Sequence, residues 1–220
     1  MDFDFSDEQH MFQESIRRFC QKELTKEVVR KWDEEEAVPP EIWSQMAHLG
    51  WVGTGLPEEY GGSGGTIIDQ VILLEELSRC APVLACRFIT TCSFGGRTIF
   101  NNGSDAQKKF FLPKMIQGEL LFCLGLTDPG GGTDILGSLK TTADLQGNDF
   151  VINGQKVFIS DSLIADYIII VARTDKNPPK KAKGLSLIIA NMKSKGIEAR
   201  KIRKLGVKPS EIAEIFFTDV

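Results

Sequence analysis

Two threonines flank three consecutive glycines in the run Leu126-Thr127-Asp128-Pro129-Gly130-Gly131-Gly132-Thr133-Asp134. Glycine removes the Cβ barrier to left-handed backbone, so successive N–H groups can converge on an anionic oxygen, and the hydroxyls of Thr127 and Thr133 can donate or accept. The same composition also makes an ordinary tight turn, and spacing alone leaves both readings open. Two common phosphate-binding patterns are disfavoured. A strand-like pattern follows the glycines where a dinucleotide fingerprint needs an amphipathic helix, and the Gly-Lys-Ser/Thr ending of a P-loop is absent.

Other reactive residue types combine poorly. The chain has only two histidines, His10 and His48, and five cysteines, Cys20, Cys80, Cys86, Cys92 and Cys123, with no C-x-x-C pair. This inventory argues against a zinc site, a disulfide framework and a Ser-His-Asp or Cys-His nucleophile set, and the cysteines read as reduced core thiols. Glu58 and Glu59 lie in a Gly-rich loop and read as solvated or capping acids. Glu75 and Glu76 are adjacent on a helix, so they point to different faces and make a poor acid/base pair.

The elements that must position the glycine turn divide near residue 119. Before it the apolar period is helical. Ser6/Gln9 and Ser104/Gln107 fit capping boxes, Pro39-Pro40 starts a helix with Ile42, Met46 and Leu49 facing its core, and a further helix runs from Ile67 to Cys80 with Ile68, Val71, Ile72 and Leu77 inward. Lys31 to Glu36 reads as a charged break. Beyond Leu121 the period is two. Strands are expected over Leu121–Leu126, Lys140–Leu145, Phe150–Ile152, Val157–Ser160, Tyr167–Ala172, Leu185–Ala190 and Glu214–Phe217, with Asn153-Gly154 as the sharpest hairpin signal. The expected class is α+β: an N-terminal all-helical domain over residues 1–119, then an antiparallel β-sandwich or barrel-like domain over 120–220.

Four ordered blocks carry a family resemblance: Pro57-Glu58-Glu59-Tyr60-Gly61-Gly62, the glycine run from Leu126 to Asp134, Asn153-Gly154-Gln155-Lys156-Val157-Phe158-Ile159-Ser160, and Lys204-Leu205-Gly206 leading to Phe217-Thr218-Asp219-Val220. The chain resembles the acyl-CoA dehydrogenases over essentially its whole length. That resemblance implies FAD as cofactor and α,β-oxidation of an acyl-CoA thioester to the 2-enoyl-CoA, with hydride transfer to flavin N5. It implies that Leu124, Leu126, Thr127, Gly132 and Thr133 lie along the flavin, that Thr133 also faces the CoA portion of the substrate, and that Phe158, Ile159 and Ser160 cover one face of the ring. Phe158 stands where the family usually has Trp and Ser160 where it has Thr, so an aromatic lid and a hydroxyl are kept. The helix through Gly95-Gly96 would form part of the acyl-pocket wall, against the plainer reading of close helix packing.

The resemblance further implies a C-terminal helical domain carrying the catalytic glutamate, and no residue of this sequence matches that base. The 220 residues are therefore expected to be the helical and β portions of such an enzyme, inactive alone, and a homotetramer with electron-transfer flavoprotein as acceptor when complete. Two other readings are a non-catalytic flavin- or acyl-CoA-binding module and a flavin-dependent oxidase or monooxygenase, which oxygen reactivity would separate. Composition agrees with an intracellular enzyme. The net charge is −4, no nucleic-acid footprint is evident, no apolar run approaches the roughly 18 to 20 residues of a membrane span, and the start Met1-Asp2-Phe3-Asp4-Phe5 is unlike a signal peptide. The expected compartment is the cytoplasm.

Overall fold

Ser6 accepts from the Gln9 amide and the Gln9 side chain returns a bond to Ser6 N, which starts α1 (Asp7–Glu23) as the sequence predicts. Ser104 and Gln107 repeat the device at α7 (Asp105–Ile116). Each such cap stabilises by about 1 kcal/mol, since it satisfies backbone donors that the helix cannot. The computed structural model describes residues 4–220, so the first part of the acidic-aromatic start, Met1 to Phe3, lies outside the described residues.

The described residues form two units: one up to Leu120 together with Leu205–Ser210, the other Leu121–Lys204 with Glu211–Val220. The short Leu205–Ser210 excursion was not legible in the sequence. The first unit also holds α2 (Lys26–Glu35), α3 (Pro40–His48), α4 (Ile67–Cys80), α5 (Pro82–Phe88), a π-helical stretch Ile89–Gly96 and α6 (Arg97–Asn102). Lys31 to Glu35 therefore continues α2, and the break comes only at Glu36, whose φ of +54° ends the helix. Lys31–Glu35 and Arg30–Glu34 are i,i+4 ion pairs on the outer face of α2, and Trp32 is its buried anchor. Three residues expected to face the core, Leu49, Ile68 and Val71, are exposed, whereas α4 buries Ile72, Leu73 and Leu77 together with Gln70 and Glu76. Glu76 is consumed structurally, paired with Arg17 at 2.8 Å and Arg79 at 3.8 Å. At Gly96 a Cβ would come within 3.1 Å of Leu56, so close packing accounts for that glycine.

The second unit is built from β1 (Phe122–Gly125), the four-residue helix α8 (Ile135–Ser138), β2 (Thr142–Gln146), β3 (Asp149–Ser160), β4 (Tyr167–Arg173), β5 (Leu185–Asn191), β6 (Ile197–Ile202) and β7 (Ile212–Phe217). The strands join in the order β1-β4-β2-β3-β7-β6, with β5 on β4. The α+β class stands, but the sheet is mixed rather than wholly antiparallel. β4 runs parallel to β1 over Phe122–Gly125 and meets β2 in parallel at Arg173. The connection from β1 to β4 contains α8, β2 and β3, so it is long enough to return the chain in the same direction. The apolar side of this unit packs Cys123, Ala143, Ile152, Ile168, Ile170 and Phe217 together.

Asn153-Gly154 is not a hairpin turn. The turn is Gly147-Asn148, between Gln146 and Asp149, which are paired across β2 and β3. Instead β3 changes partner at Asn153-Gly154: Asn153 is the last residue paired with β2, and Gly154 is the first paired with β7. The Asn153 side chain is engaged by Asp219, donating to its carboxylate at 2.9 Å and accepting from its backbone N–H at 3.0 Å. Among the described residues no helix is long and apolar enough to cross a membrane, and no group of three or more His, Cys, Asp or Glu could hold a metal ion.

Candidate functional site

β1 ends at Gly125, and the chain then leaves the ladder through Leu126 and Thr127. Two bonds tie this exit to β3. The Val157 N–H donates to the Thr127 carbonyl at 2.8 Å, and the Lys156 ammonium donates to the Leu126 carbonyl at 3.0 Å. The structure therefore brings Leu126 and Thr127 against Lys156 and Val157, the two residues that precede Phe158, about thirty residues away in sequence.

The register of β3 against β7 shifts between Lys156 and Ile159, and Phe158 lies in that bulge at φ +60°. A bulky residue at positive φ is strained, and such strain persists where the surroundings impose it, commonly at binding sites. Its effect here is to turn the Phe158 ring outward, 65% exposed, while Ile159 is buried in the core. Ser160 is half-buried and ends the strand.

Beneath this surface lies a polar core that the sequence reading did not identify. Lys156 is fully buried and pairs with Asp128 at 2.5 Å. The other Asp128 oxygen accepts the backbone N–H groups of Lys140 at 2.6 Å and Thr141 at 2.7 Å, and the Thr141 hydroxyl donates to the same carboxylate. Burial pushes the Lys156 ammonium below its usual range, and the bond to Asp128 opposes that shift. One carboxylate thus pins the β1 exit, the entry to β2 and the middle of β3. The signal was present as an acid in one ordered block and a lysine in another, but nothing local joins them.

The glycine turn has a divided character. Gly130 has φ +79°, which only glycine adopts without strain, whereas at Gly132 a Cβ would meet nothing within 4 Å. Gly132 and Thr133 are exposed and make no hydrogen bond to the Phe158–Ser160 segment. They lead into α8, whose start is capped by Asp134 accepting from Gly137 N at 2.8 Å. Leu124 is half-buried in β1 opposite Ile169. Among the described residues the hydroxyls of Thr127, Thr133 and Ser160 have no hydrogen-bond partner. An outward aromatic ring, unengaged hydroxyls and a strand exit held from below suit a flat ligand that combines an aromatic system with polar edges, such as a flavin.

Two sequence families account for nearly the whole chain: the acyl-CoA dehydrogenase N-terminal domain matches residues 6–119 and the acyl-CoA dehydrogenase middle domain matches residues 123–220. The chain belongs to the acyl-CoA dehydrogenase family. It is 34% identical to the long-chain specific acyl-CoA dehydrogenase, mitochondrial, of Sus scrofa, over 98% of this chain and 50% of that one. It is 33% identical to the caffeyl-CoA reductase-Etf complex subunit CarC of Acetobacterium woodii, over 98% of this chain and 56% of the relative. Among solved structures, a glutaryl-coenzyme A dehydrogenase in its glutaryl-CoA complex superposes with a TM-score of 0.92 at 33% identity, covering 100% of this chain and 55% of that one. A glutaryl-CoA dehydrogenase from Mycobacterium smegmatis in complex with FADH2 gives 0.89 at 26% identity, with coverage of 98% and 54%. The chain spans about half the length of the curated relatives it matches.

Proposed function

We propose that this chain supplies the flavin-facing and substrate-facing portion of an FAD-dependent acyl-CoA dehydrogenase, which oxidises an acyl-CoA thioester to the 2-enoyl-CoA. The observation that carries the proposal is the junction at which Val157 N and Lys156 Nζ hold the Leu126-Thr127 exit against the bulge that turns Phe158 outward. In this reading Leu124, Leu126, Thr127, Gly132, Thr133, Phe158, Ile159 and Ser160 line the cofactor. Thr127 and Ser160 offer hydroxyls to its polar edge, Phe158 covers a ring face, Ile159 locks the lid strand to the core, and Thr133 faces both the cofactor and the CoA portion of the substrate. FAD would supply the hydride acceptor, and the chain's own work is to orient and desolvate.

Removal of the substrate α-proton needs a base within about 3 Å of it, in a site that raises a carboxylate's pKa. Among the acids here, Glu76 is held by two arginines and Asp128 by Lys156 and two backbone N–H groups, while Glu58 and Glu59 begin an exposed 3-10 turn. No residue of these 220 matches the glutamate that the family resemblance implies, so the proposal assigns the base to none of them. The same proposal includes a homotetramer, cytoplasmic location and electron-transfer flavoprotein as acceptor; the last is favoured by the name of the CarC relative.

The test uses this chain alone and a chimera joining it to the half of the porcine relative that it does not cover. The chimera is expected to purify yellow and its flavin to bleach anaerobically on addition of acyl-CoA, whereas the chain alone with added FAD should not bleach. Phe158→Ala and Thr133→Ala in the chimera should each weaken FAD retention, Phe158→Ala by roughly tenfold for the loss of a stacked ring. Bleaching by the chain alone would locate the base within it. A yellow chimera that no acyl-CoA reduces would overturn the dehydrogenase reading, and rapid reoxidation of its reduced flavin by oxygen would favour an oxidase.

A further inference from the structure

Two thiols outside the candidate site are brought together by the packing of α1 on α4. Cys20, on the buried face of α1, is 3% exposed, and its sulfur lies 3.9 Å from the Glu76 carbonyl of α4. Cys80 follows Glu76 by one helical turn, ends α4 and is half-buried. The Cys20 sulfur therefore lies against the last turn of α4, the turn that ends in Cys80. The Arg17–Glu76 ion pair at 2.8 Å fixes the same two helices in register one turn away. Neither thiol has a place in the proposed flavin chemistry, and the two differ in burial: Cys80 is half-buried, whereas Cys20 is closed off from solvent.

We propose that Cys80 is a site of reversible thiolation by low-molecular-weight disulfides, and that Cys20 resolves the adduct into an intramolecular Cys20–Cys80 disulfide joining α1 to α4. With glutathione disulfide as reagent, the Cys80 thiolate attacks one sulfur, forming a mixed disulfide and expelling one glutathione thiolate. Cys20, as thiolate, then attacks the Cys80 sulfur and expels the second. Two protein thiols are oxidised, one glutathione disulfide is reduced to two thiols, and the protons released by the cysteines pass to the leaving thiolates. Burial pushes the Cys20 thiol up to about 12, with Cys80 adding to the shift, so the resolving step draws on a small thiolate fraction at neutral pH. Its rate should rise about tenfold per pH unit between roughly pH 7 and 9.

Intact-mass spectrometry of the native chain in oxidised glutathione tests this. The unaltered protein should lose about 2 Da, Cys20→Ser should stop at an adduct of about +305 Da, and Cys80→Ser should gain neither change. Cys86→Ser should behave as the unaltered protein, which separates Cys80 from the other half-buried thiol on the same stretch. The cross-linked form should melt at least roughly 5 °C higher, because the bridge closes a long loop in the unfolded chain. Far-UV circular dichroism verifies folding of the variants, and Cys20→Ala repeats the test should the serine unfold α1. A 2 Da loss that survives Cys80→Ser, or a stable adduct on the unaltered protein with no 2 Da loss, would overturn the proposal.

Discussion

Lys156→Met should destabilise the β unit by about 3–5 kcal/mol, read as a lower urea midpoint by far-UV circular dichroism. Lys156 and Asp128 are both essentially dry, so removal of either leaves the other as a buried charge without its counterion. Asp128→Asn should cost a similar amount, because the amide can still accept from Lys140 N or Thr141 N but no longer balances the ammonium. The double variant Lys156→Met/Asp128→Asn should cost clearly less than the two single changes summed.

The pH dependence has a defined sign. The folded Lys156 pKa is lowered, so between that value and the ordinary lysine value the unfolded chain binds more protons than the folded one. Stability attributable to this group therefore rises with pH across that window, and its cost is fully present below it. Asp128→Asn removes the partner that opposes the lowering. It should therefore regain stability on going from neutral to alkaline pH more than the unaltered protein does. Single variants within about 0.5 kcal/mol of the unaltered protein, or strictly additive changes, would refute the pinning role of the pair.

Gly154→Ala is the second large effect, expected to cost about 2–4 kcal/mol, from two sources acting together. Gly154 has φ +147°, and a Cβ there would stand 2.7 Å from the Thr141 Cα, a backbone atom that cannot rotate away. Thr141 is itself held by Asp128 through its N–H and hydroxyl, so any shift to make room pulls on the buried ion pair. Gly132→Ala supplies the contrast. Its Cβ would enter open space, so the stability of the chain should change by no more than about 0.5 kcal/mol, whatever happens to flavin retention. Equal midpoints for the two variants would show that β3 has room to bend at Gly154.

Both predictions concern residues within blocks that the sequence displays but whose work the sequence hides. Asn153-Gly154 has the composition of a two-residue hairpin, and local propensity cannot distinguish a reversal from a bend in a strand that changes partners. The difference lies with Thr142 on one side and Phe217 on the other, since these supply the pairing on either side of the bend. Asp128 and Lys156 are similar: each looks like an ordinary loop or strand charge until the fold removes both from water.

What the amino-acid sequence determined by itself is everything that depends on neighbours within a turn or two. The capping boxes at Ser6 and Ser104, the span of α4 from Ile67 to Cys80 and the change of period after Leu121 all follow from interactions at short sequence separation. Tertiary structure alone decided which apolar face of α4 is covered, why Lys31–Glu35 stays helical around Trp32, and why β4 runs parallel to β1. It also decided the positive φ that turns Phe158 outward and the contact that seats Thr127 beside it. These depend on partners tens of residues away, and burial and strand register are properties of the assembled chain that no local window contains.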